Sequence, residues 1–191
     1  MIRCTFVALA LVALCAPVFA AELEIGAKAP DFKATGIDGK EYNLASVKDA
    51  KAVVVCFTCN VCPVAVAYED RFVEFQKKYA AKGVKFIAIN ANKANPAEGI
   101  EAMKTRAEEK GFNFPYAFDA SGESASEYGA RVTPHLFLLD GDRTVAYVGA
   151  FDDNQNNPKK HYLTDAVDAV LAGKKVETTN TKAVGCGIRN K

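Results

Sequence analysis

Cysteines 56, 59 and 62 fall within one stretch of seven residues, and the last two form the segment Cys59-Asn60-Val61-Cys62-Pro63. Cysteines this close together are badly spaced for stapling a fold, which points to chemistry instead. A Cys-x-x-Cys at a strand–helix junction is a redox signature. Two intervening residues put both sulfurs on one side of a first helical turn, within disulfide reach. The expected roles follow from position. Cys59, at the helix entrance, meets unpaired N–H groups and the positive end of the helix dipole, so it is the candidate nucleophile. Cys62, one turn deeper, is the candidate resolving cysteine that displaces a substrate from Cys59. A helix terminus contributes ~0.3–1 kcal/mol, up to ~2, and one pKa unit corresponds to about 1.4 kcal/mol. The dipole alone therefore lowers the Cys59 thiol by about one unit at most.

Blander readings compete. The pair could be an inert disulfide, but a helix-start placement favours reactivity. Cys56, Cys59, Cys62 and Cys186 could supply four sulfurs to zinc, but Cys56 lies inside a strand pattern, so no metal or other cofactor is expected. By itself Cys56 reads as a small buried residue.

The elements that must hold this segment are legible on either side of it. Residues 51–57 form a short, continuous, β-branched apolar run, as suits a central strand buried on both faces. Downstream, Cys62, Ala65, Tyr68, Phe72, Phe75 and Tyr79 recur at spacings of three and four, one face of a helix. Glu69, Arg71, Glu74 and Lys78 lie largely off that face, and Glu69 is expected to meet solvent. Residues 84–89 read as a second buried strand. Asn95-Pro96 caps a helix carrying Ile100, Met103 and Ala107 and closed by Gly111. A short strand at 115–118 and a short helix at 124–128 follow. Residues 135–139 and 144–148 flank Asp140-Gly141-Asp142-Arg143 as a hairpin, and 161–171 make a last amphipathic helix. Near the start, Ile37-Asp38-Gly39-Lys40 turns an N-terminal hairpin. The pattern predicts an α/β fold: a central mixed sheet with helices on both faces, strands 53–57 and 84–89 being parallel. The tail, 173–191, shows no apolar period and is expected to be mobile.

Composition narrows the class. The 191 residues carry a net charge of +1, with no basic stripe of interleaved aromatics, so nucleic acid is not an expected partner. Residues 1–20 hold one early positive charge, a short apolar core and small residues before Ala21, as in a cleaved signal peptide. The apolar core is shorter than the ~20 residues of a membrane span, which sets cleavage above a retained anchor. Leu14 before Cys15 argues against a lipid-modified cysteine. The mature chain is then expected to be exported, periplasmic or extracellular, with no membrane attachment, a domain over 21–172 and a tail carrying Cys186. Four cysteines remain in it, an even number that permits disulfides outside the cytoplasm.

The segments Phe57-Thr58-Cys59-Asn60-Val61-Cys62-Pro63, Tyr128-Gly129-Ala130-Arg131-Val132-Thr133-Pro134 and Pro30-Asp31-Phe32 through Gly39-Lys40 resemble the thioredoxin-like redoxins, relatives of alkyl hydroperoxide reductase and thiol-specific antioxidant proteins. The likeness extends to Gly185-Cys186-Gly187-Ile188 in the tail. It implies a thioredoxin fold with an N-terminal hairpin extension, a cis Pro134 facing the cysteines, and a Thr133 backbone that pairs with a bound substrate chain as an added strand. The departures are specific. Val61 replaces the histidine often found between the cysteines, Thr58 replaces the preceding tryptophan, and Val53 stands where thioredoxins bury an acid. The proton acceptor for Cys62 is thus unassigned.

Thiol–disulfide exchange with a client protein, fed by a separate electron donor, is the first reading. A thiol peroxidase is second, because the Pro-x-x-x-Thr-x-x-Cys pattern of peroxiredoxins is not met: Cys59 stands at the threonine position before Cys62. A copper carrier using the pair and His135 is the non-enzymatic alternative. Cys186, between two glycines that permit close backbone approach, is a candidate third redox cysteine. A permanent bond from it to Cys56, or a free thiol, is the plainer reading.

Overall fold

The computed structural model describes residues 21–93 and 95–189; the signal-peptide assignment over 1–20, with Cys4 and Cys15, lies outside the described residues. Among the described residues, nine strands and four α-helices follow in the order β1 (Ala34–Gly36), β2 (Glu41–Tyr42), β3 (Ala52–Phe57), α1 (Pro63–Tyr79), β4 (Val84–Asn90), α2 (Ile100–Lys110), β5 (Tyr116–Phe118), α3 (Glu123–Tyr128), β6 (Val132–Thr133), β7 (His135–Leu139), β8 (Val145–Gly149), α4 (Tyr162–Leu171) and β9 (Cys186–Gly187).

Seven strands form one mixed sheet in the order β2-β1-β5-β4-β3-β7-β8. The apolar run of β3 earns its central place, since all six residues are buried. It pairs in parallel with β4 and antiparallel with β7, Phe57 standing opposite Ile89 on one side and His135 on the other. Strand alternation splits the core. Ala52, Val54 and Cys56 meet the buried faces of α1, α2 and α4, through Phe72, Phe75, Met103 and Leu163. Val53, Val55 and Phe57 meet Phe32, Val47 and Tyr128 on the opposite face, where α3 and the N-terminal segment lie. Each fully buried Phe of the α1 seam contributes ~1.5–3 kcal/mol relative to exposure, enough to hold the start of α1 at the carboxyl end of β3.

Three expectations need correction. Glu69 is buried, and Arg106 on α2 donates to both its oxygens at 2.9 and 2.7 Å; a bidentate partner satisfies a charge that the apolar stripe alone would have turned outward. Asn95 caps only a 3₁₀ turn, Pro96–Glu98, after which Gly99 is the N-cap of α2. The tail is not loose. Val148 donates to the Thr179 carbonyl and accepts from the Thr181 amide, both at 3.0 Å, and β9 pairs antiparallel with β6. It lacks an apolar period because its fastening is mainly by strand-edge hydrogen bonds, with Val176 and Ile188 as isolated apolar contacts to the core.

Candidate active site

The chain leaves β3 through Thr58, and a short loop, residues 58–61, carries it to α1. Cys62 is the N-cap, with extended backbone (φ −73°, ψ 118°), and Pro63 takes the first helical position. This corrects the sequence expectation. The helix entrance belongs to Cys62, and Cys59 sits three residues earlier in the loop. Proline explains the shift, because its ring suits the first turn and disfavours helical backbone in the residue before it.

Both sulfurs converge on one residue. Cys59 Sγ lies 3.1 Å from Thr133 Oγ1, and the Cys62 thiol donates to the Thr133 carbonyl at 3.1 Å. The Thr133–Pro134 bond is cis, as the resemblance implied. Cys186 completes the group: it pairs with Thr133 across β6–β9, and its amide donates to Cys62 Sγ at 3.3 Å. Sequence reasoning singled out Cys59, Cys62, Thr133, Pro134 and Cys186, and the fold brings them together. Cys56 stays fully buried in β3, and all four described cysteines are free thiols.

A cleft of about 350 Å³ opens beside the sulfurs, lined in part by Cys59, Val61, Glu98, Cys186 and Arg189. Glu98 is the residue that sequence reading missed. Its side chain is buried, and one oxygen accepts from the Asn60 amide and from Asn90 Nδ2, each at 2.8 Å. The other oxygen lies 3.4 Å from the Val61 amide. Asn60 is gripped further, donating to the Ala97 carbonyl and accepting from the Tyr116 hydroxyl at 2.8 and 2.9 Å. The available signal was an acidic residue two positions after Asn-Pro, but capping accounts for that pattern equally well.

These contacts set the two thiols apart. Burial pushes the Cys59 thiol up; the Thr133 hydroxyl opposes this, Glu98 reinforces it, and the result is about 12. The amides of Asn60 and Val61 bond the Glu98 carboxylate, and the Cys62 amide is the backbone group that lowers Cys59. Burial also pushes Cys62 up, but the Cys186 thiol, the amides of Ala65 and Cys186, and Thr133 outweigh it and hold this thiol below its usual range. Cys186, exposed, is raised by its hydrogen bond to Cys62. His135 begins the interior strand β7. Its side chain is buried against Phe137 and 3.3 Å from Glu22, and burial lowers its pKa. Phe137 packs on the sheet face opposite α1.

A cysteine pair at the carboxyl end of a central strand, set against the residue that precedes a cis proline, defines the redox-active proteins of the thioredoxin fold. The Redoxin family profile matches residues 24–166, and the chain belongs to that family. It is 33% identical over 127 residues to the thiol-disulfide oxidoreductase ResA of Bacillus thuringiensis, covering 65% of this chain and 68% of that one. Two solved structures align more fully. A hypothetical protein of Sinorhizobium meliloti shares 38% identity over 90% of this chain and 97% of its own, with a TM-score of 0.84. An uncharacterized conserved protein of Geobacillus kaustophilus shares 36% over 88% and 93%, with a TM-score of 0.83. With this site and these relatives, the chain is a thiol–disulfide oxidoreductase.

Proposed function

We propose that the chain reduces disulfides in exported client proteins, with Cys59 as the sulfur that joins the client and Cys62 as the one that releases it. The observation that carries this reading is the shared grip of Thr133 on both sulfurs, 3.1 Å from each, beside cis Pro134. A client strand pairing with Thr133 would bring its disulfide over Cys59, next to the exposed Val61. Cys59 gives up its proton and attacks one client sulfur, forming a mixed disulfide; the client S–S bond breaks and the expelled sulfur takes up a proton. Cys62 then attacks Cys59, which frees the client and leaves a Cys59–Cys62 disulfide. Its depressed pKa supplies a thiolate for that step without a separate base, which accounts for the missing acid at Val53.

The reducing direction is part of this proposal. Strongly oxidising members of this chemistry owe their poise to a reduced form stabilised as thiolate. Here burial and Glu98 hold Cys59 high, so it adds no such stabilisation, while Cys62 is held low; the equilibrium potential of the pair against the client disulfide decides the sign. Cys186 stands beside the pair as a candidate third redox cysteine, and a separate dithiol donor restores the reduced state. Cleavage after Ala20 would deliver the protein to a compartment where clients carry disulfides.

The deciding experiment is dithiothreitol-driven reduction of insulin by the full chain, with Cys59→Ser and Cys62→Ser. Catalysis lost in both, and mixed disulfides trapped by Cys62→Ser alone, is the expected result. Equal trapping by both variants overturns the roles. A second reading, thiol peroxidase, is favoured by Cys62 at the helix N-cap with a lowered pKa and a neighbouring thiol. Rapid Cys62-dependent consumption of hydrogen peroxide would promote it, whereas stoichiometric copper binding without exchange would promote the carrier.

A further inference from the structure

The edge of β6 is where a client strand would dock, yet the chain's own tail lies there. Val132 pairs with Gly187 and Thr133 with Cys186. The docking is built in detail. Ile188 donates to the Arg131 carbonyl at 3.0 Å, Lys93 donates to the Arg189 carbonyl at 3.0 Å, and the Arg189 amide donates to Asn92 Oδ1 at 2.6 Å. Gly185 passes so close to Thr133 that a Cβ there would overlap the Thr133 carbonyl, whereas a Cβ on Gly187 would meet nothing nearer than 3.9 Å. Under this strand Cys59 is 5% and Cys62 1% exposed, while Cys186 faces solvent.

We propose that residues 185–189 are a tethered internal substrate, which occupies the client's strand position and draws the disulfide from Cys59–Cys62 onto Cys62–Cys186. The inference rests on the exchange reading above and extends it. After a client has been reduced, the tail returns to β6. Cys186 gives up its proton and its sulfur bonds to Cys62 Sγ. The Cys59–Cys62 bond breaks, its electron pair leaves on Cys59, and Cys59 takes a proton. No net oxidation occurs in this step; the disulfide has moved from a covered position to one with an exposed sulfur. An external dithiol can then attack Cys186, with Cys62 leaving as the stabilised thiolate, the favourable leaving group. That dithiol is oxidised to its own disulfide as it resolves from Cys186, and the chain returns to three thiols.

The test is peptide mapping of the full chain, reduced, treated with one equivalent of diamide and quenched in acid. The parent and Gly187→Ala are expected to carry mainly the Cys62–Cys186 linkage. Gly185→Ala, which undocks the tail without touching a cysteine, should carry mainly Cys59–Cys62, its Cys62–Cys186 fraction lower by about fivefold or more, as losing strand hydrogen bonds of ~0.5–1.5 kcal/mol each implies. A parent holding only Cys59–Cys62 with Cys186 free overturns the inference and leaves the exchange reading standing. An unchanged Cys62–Cys186 fraction in Gly185→Ala also overturns it. A parent that forms no disulfide among these three cysteines overturns both.

Discussion

The Glu98 carboxylate lies 2.8 Å from the Asn60 amide, inside the loop that separates the two reactive cysteines. A buried acid reached from the turn after β4 thus holds the Cys-x-x-Cys loop by its backbone, and its charge raises the Cys59 thiol. In the sequence the two residues are 38 positions apart, and nothing in their local patterns joins them.

Glu98→Gln keeps an acceptor for the Asn60 amide and removes the charge. Cys59 should then ionise more easily, and its alkylation by iodoacetamide near pH 8 should quicken by up to about tenfold, the effect of ~1.4 kcal/mol. Mass spectrometry of the Cys59 peptide over time reads this directly. A slower or unchanged rate would show that Glu98 does not oppose the thiolate.

Thr133→Val should act in the opposite sense. The hydroxyl 3.1 Å from Cys59 Sγ lowers that thiol, and valine removes it at nearly equal volume. Insulin turnover should drop by roughly threefold to tenfold, as expected for a hydrogen bond of ~0.5–1.5 kcal/mol. Thr133→Ser, which restores the hydroxyl, should recover most of the loss. Failure of serine to rescue would assign the effect to packing.

Cys59 also imposes a pH dependence on stability. A cysteine in an unfolded chain ionises near 8.5, and in the folded dithiol state Cys59 keeps its proton to about 12. A raised pKa contributes stability that is fully present below about pH 8.5. It is lost as pH climbs toward 12, because the unfolded chain releases a proton that the fold retains. Urea midpoints of the reduced protein should therefore fall between pH 8 and pH 10.5 more steeply than those of Cys59→Ser, the gap amounting to roughly 1–2 kcal/mol after solvent screening. Parallel slopes for the two proteins would contradict the raised thiol.

Glu69→Ala tests the hidden ion pair between α1 and α2. Losing both bonds from Arg106 beside a buried site should cost about 1–3 kcal/mol, seen as a lowered melting temperature. Insulin turnover should stay within about twofold of the parent, because the pair touches neither sulfur. A change in stability near zero would return Glu69 to the solvent-facing role that its helical position suggested.

Local pattern by itself determined much of this molecule. Six consecutive apolar residues at 52–57, three of them valine, suit a strand covered on both faces, and the stripe from Ala65 to Tyr79 suits a helix seated against it. Given those two elements, the cysteines had to lie where one becomes the other. The local Pro63 moved the helix start to Cys62, but the difference between the two thiols came from distant partners: the charge of Glu98 raises Cys59, and Cys186 helps to lower Cys62. The position of the tail was also tertiary, since its strand is held through backbone hydrogen bonds that leave no apolar signature in the sequence. Hydrophobic periodicity records which face of an element is buried. It carries no record of which distant carboxylate or strand edge satisfies a backbone amide, and at this site those partners set the chemistry.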